Sequence, residues 1–263
     1  MVKIACQTIV YGNEHIKTDI ENILQNVAEN GYDGVEIGAR HFDQDKPDYY
    51  ISLLAKNHLE LPAIHIAGDF LNMYSLAELM DGIKKTIPFA KKLGCSYLYL
   101  SGVYKKNKTD EDYLHEARTY EEIGRCCAEE GLTLCYHNHD WEITNNLHGL
   151  KLLLNHVNGQ YMKLVPDVGW IAVAGADAVE FLKNHETGIE ALHFKDFKNY
   201  DTPRRFTELG TGIVDFKAVY DYLKNKRDVL WITAEQDEAT STPQESVKAN
   251  YAYIRGLIDS VGR

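Results

Sequence analysis

The chain has no C-x-x-C pair, no glycine-rich turn after its first strand-like segment, no long apolar run and no surplus of positive charge. Each lack excludes a class of protein. The five cysteines, Cys6, Cys95, Cys126, Cys127 and Cys135, are odd in number, and they fit neither a disulfide framework nor a zinc finger. They read as buried, reduced thiols of a cytoplasmic protein. No stretch approaches the roughly 18 apolar residues of a membrane helix. The segment Met1 to Gln7 turns polar too early for a signal peptide. The 28 Lys and Arg against 39 Asp and Glu give a net charge of −11, which argues against nucleic acid, because a duplex-binding face must displace counterions with positive charge. The basic run at Lys105, Lys106 and Lys108 is followed at once by Asp110, Glu111 and Asp112, as on a solvated helix start.

What is present is an ordinary globular composition, 44% hydrophobic and 25% charged, so the chain can bury a core and disorder is not indicated. Strand and helix patterns alternate. Strands are expected over 3–8, 34–37, 61–66, 97–100, 132–136, 162–165, 189–193 and 229–234. Helices are expected over 19–30, 48–57, 75–93, 109–130, around 147–155, and over 176–185, 215–224 and 243–260. Ser75 and Glu78 have the spacing of a capping box. Gly94 stands where a helix ends, and Ser241 or Thr242 precedes Pro243 as a cap. Eight such pairs without a linker predict one domain over residues 1–263, an α/β protein with a (β/α)8 TIM barrel. A doubly wound sheet is the rival, and it would usually carry a G-x-G-x-x-G turn after its first strand. Here that turn reads Gln7-Thr8-Ile9-Val10-Tyr11-Gly12.

Barrel sites gather at the carboxyl ends of the strands. The run Cys135-Tyr136-His137-Asn138-His139-Asp140-Trp141-Glu142 brings two imidazoles and a carboxylate to one such end. Alternation points Leu132, Leu134 and Tyr136 one way and Thr133, Cys135, His137 and His139 the other. Asp167, His193 and Glu235 follow later strands, and Glu36, His65 and Ser101 earlier ones. Asp167, His193 and Glu235 with one of His137, His139 or Glu142 make a mixed nitrogen and oxygen set suited to a divalent ion. Mn2+ stands first, with Zn2+, Co2+, Fe2+ and Mg2+ as alternatives. Taken singly, Asp167 reads equally as a turn aspartate and Glu235 as part of a solvated acidic loop. Lys195 shares the parity of His193 and reads either as a contact for an anionic oxygen or as a salt-bridge residue. Gly210-Thr211-Gly212 lets a backbone approach a ligand, Asp215 reads as a helix cap, and Trp141 and Trp170 as a sugar-facing wall or as packing.

The segments Gly31–Ile37, Tyr136–Glu142, Pro166–Trp170, His193–Asp196 and Glu208–Gly212 resemble the xylose isomerase-like TIM-barrel superfamily. It includes sugar phosphate isomerases and epimerases, ketose 3-epimerases and inosose dehydratases. The resemblance spans essentially the whole chain and implies a metal-dependent enzyme acting on a small sugar. In the epimerases a glutamate, an aspartate, a histidine and a glutamate at strands five to eight hold the ion. The last three carry over to Asp167, His193 and Glu235, whereas the first falls on His137, a departure unless Glu142 folds back to replace it. The resemblance implies an isomerase or epimerase working through an enediolate, with a keto-sugar or inosose dehydratase, a lyase, as the alternative and a non-catalytic sugar-binding subunit as the third reading. The expected roles are metal ligands His137, Asp167, His193 and Glu235; acid and base Glu235 with His139 or His137; substrate contacts Glu36, His65, Glu142 and Lys195. A homo-oligomer is an open expectation.

Overall fold

Eight parallel strands bring the inward-pointing residues to one end of a barrel. They are β1 (Val2–Gln7), β2 (Gly34–Gly38), β3 (Glu60–Ile66), β4 (Tyr97–Ser101), β5 (Thr133–His137), β6 (Met162–Leu164), β7 (Ala191–Phe194) and, last in the chain, β10 (Leu230–Ala234). Between the last two lies a small antiparallel ribbon of β8 (Asp196–Phe197) and β9 (Phe206–Thr207). The computed structural model describes residues 1–200, 205–224, 226 and 230–261. The expected start of the last strand at 229, and 201–204 of the connection before it, lie outside them. The strands pair in the order β6-β5-β4-β3-β2-β1-β10-β7. Bridges from Leu164 to Ile189 and from Asp167 to His193 join the two ends of that row. The expected barrel is therefore found, not the doubly wound sheet.

Side chains of one parity fill the barrel: Ala5, Ala63, Cys135, Val165 and Ala191 around the larger Tyr99 and Trp231. Small residues opposite two large rings let the interior close-pack without a pore. The other parity, including Leu134 and Tyr136, faces the helices in a second and larger core. The alternation expected for strand five is thus observed. All five cysteines are free thiols, four of them buried.

The helices are α1 (Asn13–Thr18), α2 (Ile20–Glu29), α3 (Pro47–Lys56), α4 (Leu76–Lys92), α5 (Asp110–Glu129), α6 (Asp140–His156), α7 (Val168–Val173), α8 (Ala178–Asn184), α9 (Phe216–Leu223) and α10 (Pro243–Val261). None among the described residues is long and apolar enough to cross a membrane. The short α1, α7 and the ribbon were not expected, because six residues or fewer carry too little periodicity to read. Helix α6 starts at Asp140, earlier than expected, and breaks at 144–147, where Asn145, Asn146 and Leu147 take left-handed conformations. The capping box expected at Ser75 does not form. Ser75 already has near-helical angles and its side chain makes no cap bond; the reciprocal box is found instead at Thr109 and Asp112. Gly94, at φ +86°, ends α4 as expected, Thr242 Oγ1 accepts from Glu245 N, and Asp215 caps α9.

Candidate active site

Each inward parity ends in a polar group at the carboxyl end of its strand. β5 ends in His137, β7 carries His193, Glu235 directly follows β10, and Asp167 stands three residues beyond the end of β6. One donor atom from each of these four lies within 4.8 Å of the others, and all four residues are buried. The strand register sets this, since Asp167 bridges to His193 and Ala234 pairs with Phe194. Glu235 Oε2 lies 2.6 Å from His193 Nδ1 and 3.2 Å from His137 Nε2. His137 Nε2 is 3.4 Å from Asp167 Oδ2.

A second row holds these rings from behind. Glu36 Oε1 meets His65 Nδ1 at 2.7 Å, and His65 Nε2 meets Ser101 Oγ at 2.7 Å. Ser101 Oγ is 3.5 Å from His137 Nδ1, and Glu36 Oε2 is 2.7 Å from His193 Nε2. Such outer partners fix the orientation of imidazoles. Asp167 has two tasks. Its Oδ1 accepts from Trp170 N at 3.0 Å and caps α7, while its Oδ2 is buried without a hydrogen-bond partner. The turn reading and the site reading of Asp167 therefore describe different oxygens. Asn138 clamps the aspartate from the backbone side, with bonds of 3.1 and 3.3 Å. A Cβ on Gly169 would stand 2.3 Å from Lys195 O, so only glycine lets α7 settle this close to the end of β7.

Lys195 Nζ lies 3.2 Å from Glu235 Oε1, 3.6 Å from Asp167 Oδ2 and 3.1 Å from Asp237 Oδ1. Burial opposes its charge, but Asp237, Glu235 and Asp167 outweigh burial and hold its pKa above the usual lysine range. Burial pushes the Glu235 carboxyl up, yet Lys195 and His193 hold it well below the ordinary value. Glu36 is likewise raised by burial and brought down to about 2 by His193 and His65. For His193, burial lowers and the carboxylates of Glu36 and Glu235 raise, with a net result of about 10. His139 differs. Burial, then the positive charges of His137 and Lys195, drive it well below 6.5, so its ring is neutral at neutral pH.

His139 and Glu142 stand outside the group of four. The His139 ring stacks on Trp141 at 4.2 Å and lies 5.4 Å from Trp170, with its centroid 5.2 Å from His137. Its Nδ1 is buried without a partner. Glu142 points away from the metal-type group. Its carboxylate accepts from His139 N at 2.7 Å and from Tyr136 OH at 2.9 Å, at the start of α6. Glu142 was expected to fold back in place of the missing strand-five acid or to contact a substrate; its carboxylate here bonds His139 N and Tyr136 OH and lies outside the four-donor group. Gly210 and Gly212 also turn out differently from a ligand loop. Asp196 accepts from Gly210 N, Gly212 N, Ile213 N and Val214 N, and a Cβ on Gly212 would stand 2.3 Å from Asp196 Oδ1. The backbone approaches the protein's own carboxylate. Asp237 and Asn138 were missed as site residues; the parity shared by Glu235 and Asp237 was the available signal for the first.

The four-residue group fits a divalent ion. It offers two imidazole nitrogens and two carboxylates, one of them with a buried oxygen that makes no hydrogen bond. Ligand bonds of about 2.0–2.2 Å put donors about 4 Å apart across an ion, so the side chains need to close in only slightly.

A barrel of this topology with this polar ring defines a class, and comparison with known proteins gives it a name. Residues 24–257 match the family model described as xylose isomerase-like TIM barrel, and the chain belongs to that family. Among curated relatives, it is 24% identical to the inosose dehydratase of Lactiplantibacillus plantarum, over 90% of this chain and 88% of the relative. Among solved structures, an L-ribulose 3-epimerase superposes with a TM-score of 0.80 at 17% identity, covering 99% of this chain and 95% of the other. The IolI protein with a bound zinc atom gives 0.77 at 16% identity, covering 98% of each.

Proposed function

We propose that the chain is a divalent-metal-dependent enzyme acting on a keto-sugar or keto-polyol by removing the proton next to the carbonyl, with β-elimination of water as the outcome. The observation that carries this reading is the buried set of His137, Asp167, His193 and Glu235 with donor atoms within 4.8 Å. These four would hold the ion, with Mn2+ or Zn2+ as the candidates. A bound ion would supply a Lewis acid that polarises the carbonyl oxygen. Glu235, kept ionised by Lys195 and His193, takes the α-proton and returns it to the departing β-hydroxyl, which leaves as water. Lys195 presents fixed positive charge toward the developing oxyanion. His139, being neutral, serves as a hydrogen-bonding group for a substrate hydroxyl and not as a charged acid, a revision of the role expected from sequence.

Two observations favour elimination over epimerisation. The strand-five position holds His137, engaged with Asp167 and Glu235, where the epimerases of the resemblance place a second glutamate. The curated relative quoted above is named a dehydratase. The L-ribulose 3-epimerase shares the fold and keeps inversion as the second reading. In deuterated water with a panel of keto-sugars and inososes, Glu235→Gln is expected to abolish both α-proton exchange and product formation, and His139→Asn to raise KM while exchange and product formation stay in proportion. A product lighter by one water supports the dehydratase; an isomer of unchanged mass moves the assignment to epimerase. Full turnover in both variants contradicts the reading.

A further inference from the structure

A cavity of about 470 Å³ is lined by His65, which bonds Glu36 behind the buried group. Its walls come from the β2–α3 connection, the β3–α4 connection and one face of α4. Ile66, Leu79 and Ile83 give it an apolar floor, and Arg40 stands on its rim. The volume is in the range of roughly 300–1,000 Å³ that holds small organic ligands.

His65 belongs to both spaces. It lines the cavity, and its two nitrogens bond Glu36 and Ser101 within the site. Its side chain is 11% exposed, against 0% for Glu36 and His193 and 7% for Glu235. The opposite flank is covered by rings in sequence, Tyr104 on Trp141 at 5.4 Å, Trp141 on His139 at 4.2 Å and His139 near Trp170 at 5.4 Å. His65 is therefore the side chain through which a sugar at the four donors would reach the cavity.

Two features narrow the occupant. Gly82 lines the cavity, and a Cβ there would meet no heavy atom within 4 Å. Arg40 Nε donates to Asn13 Oδ1 at 3.0 Å, and among the described residues Arg40 makes no ion pair. Its planar guanidinium is suited to stacking on a flat ring. Asp69 and Glu78 share the lining, which disfavours an anionic tail.

We infer that this cavity receives a neutral aromatic substituent carried by the sugar, so that the substrate class is an aryl-substituted sugar and not a bare monosaccharide. The inference rests on the sugar-enzyme reading above. The test uses the whole protein with methyl-labelled isoleucine and leucine, titrated with the 3-keto derivative of phenyl β-D-glucopyranoside and separately with that of methyl β-D-glucopyranoside. The Ile66, Leu79 and Ile83 methyl signals are followed by NMR. The phenyl derivative is expected to shift them and to bind at least about tenfold more tightly, equivalent to about 1.4 kcal/mol. Gly82→Phe, or the smaller Gly82→Leu, should erase that preference while melting temperature and metal content stay as in the parent. Arg40→Ala should weaken the phenyl derivative about threefold. No binding of the phenyl derivative, equal affinity for the two, or a preference that survives in folded Gly82→Phe overturns the inference. Metal content of the same samples reports separately on the sugar-enzyme reading, so the two can fail independently.

Discussion

Glu142 and Glu235 are both buried glutamates, and their neighbours send them in opposite directions. Lys195 and two imidazoles keep Glu235 ionised. Glu142 lacks such a partner, and burial carries its pKa from 4.5 to about 7. In the unfolded chain Glu142 loses its proton near 4.5, while the folded state keeps it up to about 7. Stability therefore falls as pH rises through that window, and the full penalty, about 3 kcal/mol, is present above it. Glu142→Gln is expected to be more stable than the parent at pH 8 by about 1–3 kcal/mol, with the difference gone near pH 4, as read from denaturant melts. A variant no more stable at pH 8 contradicts the assignment. Asp167 allows a second separation of roles. Asp167→Asn should keep the α7 cap yet lose metal, whereas Asp167→Ala should lose metal and about 1 kcal/mol of stability as well. Sequence alone shows that polar residues crowd the end of strand five. It does not show which of His137, His139 and Glu142 faces the barrel, because that depends on where the strand gives way to the helix cap.

The elements were legible where periodicity runs long. The alternation in β5 set its faces, and the expected ends of the long helices α4 and α5 fall within a residue of those observed. Short elements were not. α7 exists because Asp167 caps it and Gly169 lets it pack, and neither fact produces a repeat. The break in α6 is also invisible to pattern, since Asn145, Asn146 and Leu147 form a left-handed turn inside a stretch of acceptable helix composition. Such a turn costs L-residues about 1–2 kcal/mol each, less for asparagine. Asn146 is exposed, so Asn146→Gly should raise stability by about 0.5–1 kcal/mol and Asn146→Ile should lower it by at least about 1 kcal/mol. Equal melting temperatures for the two variants would show that the turn is not held as described.

For the molecule as a whole, barrel closure does the functional work. The β6 and β7 ends of the sheet are joined by the bridges Leu164 to Ile189 and Asp167 to His193, and the second bridge is made by two members of the candidate metal group. Closing the barrel and assembling the site are one event. The barrel and its strand-end residues could be read from sequence because eight strand and helix pairs repeat one rule. The outer row of Glu36, His65 and Ser101 could be placed at strand ends but not connected, since the bonds among them cross three strands far apart in sequence. The most direct measurement is an anomalous difference map from crystals grown with MnCl2. One peak per chain is expected within about 2.0–2.3 Å of donor atoms from His137, Asp167, His193 and Glu235. A barrel mouth without a peak, or a peak that bypasses two or more of these four residues, would contradict the metal-site assignment.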